Sequence, residues 1–184
     1  MGLPSYLPGL HSCHVVALGT LTGMVLHTTF VNSIIQYQTL SKSIFGHLQN
    51  AQFPPYFAIG SACALFLTAS TARLGGFASL PAALSASGAG AFQTKLMAAA
   101  ALGSVANWLW VGPVTTRVML ERKELVKKGA EVQTKEMDAI NWRFGAWHSV
   151  SSTLNLILVV ASVWNCVWVG DVWAEAVGLL VGRH

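Results

Sequence analysis

A chain of 184 residues that is 53% hydrophobic and only 10% charged departs from soluble domains, in which about a quarter of residues carry charge. The formal net charge of +4 is small, and the basic residues form no patch interleaved with aromatics, which argues against nucleic acid as a partner. Cys13, Cys63 and Cys166 show no CxxC spacing and all fall in apolar runs, so no disulfide framework is expected. The composition is that of an integral membrane protein whose first partner is the lipid bilayer, and the length fits a single multi-pass domain over 1–184.

The lead-in carries Pro4 and Pro8 and no Lys or Arg. It lacks the positive segment of a cleaved signal, so the first span is expected to act as its own targeting signal. That span covers about 12–35. Within it Gly19 and Gly23 make a small-xxx-small pattern, expected to let another helix backbone approach closely, and His27 extends roughly the same face. His14 and Asn32 lie on a different face.

Residues 36–53 read as a first loop with Lys42 its one charge, and Ile44, Phe45, Leu48 and Phe53 suggest a short interfacial helix inside it. Pro54 and Pro55 are expected to open the second span, about 54–72, because a helix tolerates proline in its first turn. Arg73 and Gly75-Gly76 close it. The Ala/Gly/Ser-rich run 75–92 holds Pro81 and reads as a loop. The third span is expected over about 95–113, and Asn107 is its one strongly polar residue.

Residues 114–143 hold most of the charge. They read as a basic helical hairpin: an amphipathic helix leaving the membrane with a Glu124–Lys128 pair, Gly129 at its end, and a second helix with a Glu131–Lys135 pair. The fourth span, about 146–169, belongs to an uncharged run of 27 residues from Phe144 to Gly170; a spanning helix needs only ~20. Residues 171–184 are too short to span and are read as interfacial.

Four spans place Lys42 and seven basic residues of the third loop, from Arg117 to Arg143, on one side of the membrane, against Arg73, Lys95 and Arg183 on the other. By the positive-inside rule the loop 114–143 is expected to be cytosolic and the termini non-cytosolic, in an endomembrane or a mitochondrial membrane. Trp108, Trp110, Trp142 and Trp147 mark one interface, and Trp164, Trp168 and Trp173 mark the other. The fold expected is all-α: four transmembrane helices in an antiparallel bundle with a cytosolic helical hairpin.

In the fourth span His148, Ser151, Ser152 and Asn155 fall at i, i+3, i+4 and i+7 and share one helix face. A polar stripe faces lipid only at a cost, so it is expected to meet other helices or a watery cavity. Such residues are hydrogen-bonding glue on one reading, and a proton-relay or permeation path on the other. Asn107 is expected to find a partner in Asn155 or His148. His11, Cys13 and His14 are the nearest approach to a metal-ligating set, but without an acidic or Met-rich partner no metal and no cofactor is expected. No span contains Asp or Glu, and the Ser–His neighbours lack an orienting acid, so no catalytic residue is assigned and no enzyme is expected.

These residues resemble a known family, the transmembrane protein 205-like family with its DUF4149 domain. The similarity rests on His14, Gly19, Gly23-Met24 and Thr29-Phe30-Val31 in the first span. It continues through Phe45-Gly46, Gln49, Phe53-Pro54, Tyr56-Phe57, Asn107, Pro113, Thr115 and Thr116 to His148, Ser151, Ser152 and Asn155-Leu156. The resemblance implies a small four-helix multi-pass membrane protein and supplies no chemistry. His14, Asn107, His148 and Asn155 belong to both readings, and are expected to converge in one polar cluster. Two functions follow from the sequence. One is a non-enzymatic protein acting through partners or trafficking, as a homo-oligomer or by its basic hairpin. The other is a small-molecule or ion transporter using the polar cluster.

Overall fold

The computed structural model describes residues 9–129 and 134–181. These residues form helices and no strand. Helix α1 is Leu10–Thr39, α2 is Lys42–Leu74, α3 is the short Leu80–Ser85, α4 is Ala89–Lys128 and α5 is Thr134–Val181. All but α3 are long and apolar enough to cross a membrane, and the chain is a multi-pass membrane protein. At 1.5 Å per residue the 48 residues of α5 extend for ~72 Å. A hydrocarbon core is ~30 Å thick, so this helix projects well beyond it.

Helix continuity corrects several expected boundaries. Residues 36–53 are not a loop: α1 runs to Thr39, Leu40 is extended, and α2 starts at Lys42 under the Ser41 side chain, which accepts from the Ile44 N–H. Pro54 and Pro55 therefore lie inside α2 instead of opening it. Their missing N–H groups leave the carbonyls of Asn50 and Ala51 without the usual i−4 donors, a loss that membrane helices tolerate when neighbours compensate. Run 75–92 is a loop interrupted by α3, and α4 begins at Ala89, ahead of Lys95. The helix continues through Gly112-Pro113 to Lys128 and stops at Gly129, whose φ of +64° suits a residue without Cβ. Residues 171–181 continue α5 and form no separate segment.

The charged region pairs differently from its expected spacing. Glu124 binds Lys127 at 2.6 Å, not Lys128. Glu121 meets Arg143 at 3.2 Å, Arg122 donates to Asn141 at 2.6 Å, and the Arg122 guanidinium lies over the Phe144 ring. The end of α4 is thus tied to the start of α5. Glu131, with its expected pairing to Lys135, and Pro4 and Pro8 lie outside the described residues.

The core is built from one stripe of each long helix. Leu18, Leu21 and Val25 of α1 meet Phe57, Ala64 and Leu67 of α2, Met97 and Ala100 of α4, and Leu158 and Ala161 of α5. Gly60 sits where all four converge: a Cβ there would touch Ser104, Leu158 and Met24 at 3.4–3.6 Å. Val16, Leu65, Leu102, Leu109 and Val160 face outward, as apolar residues do when the surrounding solvent is lipid. Trp110 and Trp147 stack edge to face with centroids 6.0 Å apart, so those two interface aromatics share one level.

Candidate functional site

The polar residues inside this apolar assembly fall into layers along the helices. In the first, His14 is buried between α2 and α5. Its Nδ1 lies 2.8 Å from Ser70 Oγ and its Nε2 lies 3.1 Å from Asn165 Oδ1. A carboxamide oxygen only accepts, so Nε2–H donates to Asn165. The Ser70 hydroxyl then serves Nδ1 or the Leu67 carbonyl, 3.2 Å away. Both ring nitrogens are engaged, so His14 is not free to ligate a metal with His11 and Cys13. Among the described residues no three His, Cys, Asp or Glu side chains gather into a metal-holding group.

A second, smaller layer pairs Ser61 of α2 with Ser104 of α4 at 3.1 Å. The third contains the best-connected group. Tyr56 donates to Asn155 Oδ1 at 2.6 Å, and Asn155 Nδ2 donates to Thr29 Oγ1 at 3.1 Å, linking α2, α5 and α1. One turn away on α5, the Ser151 carbonyl accepts from Asn107 Nδ2 at 2.9 Å, which brings in α4. A fourth layer is all carboxamide: Gln49 donates to Gln36, Gln36 to Asn32 and Gln52, and Asn32 to Gln52.

The third layer sits where two helices leave the α register. Residues Thr28–Asn32 of α1 and Asn107–Val111 of α4 each form a π-turn. In the second, the Gly112 N–H reaches back five residues to the Asn107 carbonyl. A Cβ on Gly112 would stand 2.5 Å from that oxygen, so the turn requires glycine there. Such one-turn widenings recur at functional sites. Here both flank the same stretch of α5, Ser151–Asn155, and one of them leaves Asn107 Oδ1 buried without a partner.

The expected single cluster does not form. Asn107 and Asn155 are brought to one level of α5, but Asn107 bonds the Ser151 carbonyl and not the Asn155 side chain. His14 belongs to the layer at the other end of the core, with Asn165. His148 and Ser152 are exposed, and His148 stacks on Phe144 with its ring 5.6 Å away. Gly19 and Gly23 are also exposed, with nothing within 4 Å of a Cβ at either, so no helix among the described residues packs against them.

Asn165, Ser70 and Gln52 had no place in the sequence reading. The signal for Asn165 is nonetheless present: Ser151, Asn155, Leu158, Ser162 and Asn165 continue one i, i+4, i+7 face, and all are buried or half-buried.

No solved structure matches the chain. The family described as Domain of unknown function (DUF4149) matches residues 16–124, a stretch that includes Thr29, Tyr56, Asn107 and both π-turns. That match covers more than half of the sequence, and the chain belongs to the DUF4149 family.

Proposed function

We propose that the chain is a non-enzymatic membrane protein of the transmembrane protein 205-like kind. In this reading it is an antiparallel four-helix bundle that acts through partners or trafficking by way of a cytosolic basic hairpin over 114–143. The observation that carries the reading is how the intramembrane polar groups are used. His14, Ser70, Asn165, Tyr56, Asn155 and Thr29 each meet a residue of another helix, the behaviour of interhelical glue. The charged region, in contrast, displays Trp142, Val126 and Leu120 at the surface among its Lys and Arg residues, a mixture suited to a partner. A photo-crosslinking residue in place of Trp142, activated in intact membranes, is expected to give a discrete protein adduct that disappears when Lys127 and Lys128 become Ala. Lipid adducts alone would refute the reading.

A second reading, transport of a small molecule or ion, draws support from the unpartnered Asn107 Oδ1 at a π-turn. It requires flux in reconstituted vesicles that Asn107→Leu abolishes. Absence of flux across neutral, cationic and anionic solutes would leave the first reading.

A further inference from the structure

At the end of the helices away from the charged region, the start of α4 and the C-terminal half of α5 enclose an open groove of about 340 Å³. That is the size of a small-ligand site. Phe92, Trp164 and Trp168 supply aromatic walls, Gln93 lines it from within the core, and Asp171 stands at its rim. Interfacial tryptophans are ordinary in membrane proteins; the two polar groups are not accounted for by that. Gln93 is only 3% exposed, and its Oε1 is buried without a hydrogen-bond donor. A buried acceptor left unpaired is costly, so it marks a place where a donor is missing. Asp171 makes no hydrogen bond or ion pair among the described residues. Among the described residues, the arginine and the lysine at this end are engaged elsewhere: Arg73 donates to the Ala78 carbonyl, and Lys95 to the Ala86 carbonyl.

A carbonyl oxygen lacking a donor, an unpaired carboxylate and three aromatic rings all favour a cation that carries N–H groups. We propose that this groove binds a protonated primary amine, as in the ethanolamine headgroup of a membrane lipid. The ammonium lies against the Trp rings and balances Asp171, and a turn of the Gln93 carboxamide toward the groove lets its buried Oε1 accept one of the N–H groups. A quaternary choline headgroup keeps the charge but has no N–H for Gln93, so the site discriminates between the two.

The test uses the full chain in a neutral detergent, titrated with short-chain phosphatidylethanolamine or phosphatidylcholine. Bound lipid is read by native mass spectrometry and tryptophan fluorescence. Saturable binding of the ethanolamine lipid, about 5-fold tighter than the choline lipid, is expected. Asp171→Asn, at an exposed position whose replacement spares the core, should weaken it, and Gln93→Met should erase the preference. Equal binding of the two lipids, a preference unchanged in Gln93→Met, or an affinity unchanged in Asp171→Asn, would overturn the proposal. Free ethanolammonium that displaces the lipid assigns recognition to the amine alone. Persistence of the lipid against it assigns recognition to headgroup and chains together, and either result sustains an amine site.

Discussion

Asn155 occupies both ends of its carboxamide: Oδ1 accepts from Tyr56 and Nδ2 donates to Thr29. One residue thereby joins three helices. Interhelical hydrogen bonds in membranes contribute on average ~0.6 kcal/mol and at most ~1.7. Tyr56→Phe removes one bond, and Asn155→Ala removes both. Because the Tyr56 bond is lost in either variant, the double variant should be no less stable than the sum of the single losses minus that shared bond. Thermal unfolding in detergent measures this coupling. Additive losses would mean that the two side chains do not bond in the folded protein. His14→Ala tests the opposite layer: it strands Asn165 Oδ1 and frees Ser70, and a loss of the same order is expected.

At the scale of elements, the two π-turns distinguish this chain from four plain apolar rods. Gly112→Ala pushes a methyl group to 2.5 Å from the Asn107 carbonyl, and backbone must shift to admit it. Such overpacking typically costs ~1–3 kcal/mol, so the unfolding temperature should fall clearly. Gly19→Ala is the control. It sits in open space on a helix, where replacing Gly by Ala is favourable by ~0.5–1 kcal/mol. Loss of stability at Gly19 would show that a second chain covers that face. The contrast also explains what a sequence conveys. Four spans are legible because long uncharged runs such as Phe144–Gly170 are a coarse, strong signal. A π-turn adds one residue to a helix without changing its composition, so Thr28–Asn32 and Asn107–Val111 look like ordinary helix. Pro54-Pro55 resembles a helix start for the same reason: local chemistry favours a boundary there, and packing against neighbours overrides it. Asn107 and Asn155 are legible as polar exceptions in apolar runs. Which of them meet is not, since that depends on how far each helix slides along the next, and His148 shares a stripe with Asn155 yet ends up exposed.

For the molecule as a whole, the distribution of charge and the helix connectivity make a joint claim about orientation. Helix α4 carries Ser87 just ahead of its start and Lys127 near its end, and both positions are exposed. A helix that spans puts them on opposite sides, and the positive-inside rule predicts that Lys127 and its basic neighbours face the cytosol. No disulfide joins Cys13, Cys63 and Cys166 among the described residues, and a maleimide reacts with thiols, so each must first become Ser. In that background Ser87→Cys should react with a membrane-impermeant maleimide added to sealed cells or vesicles of known orientation, from the non-cytosolic side. Lys127→Cys should react only after the membrane is opened. The reverse pattern would invert the orientation while keeping four spans, and would also move the groove at Asp171 to the cytosolic leaflet. Labelling of both from one side would contradict a spanning α4 altogether. That outcome would remove the membrane from the account of Asn107, whose burial in an apolar slab is what makes its unpaired oxygen costly.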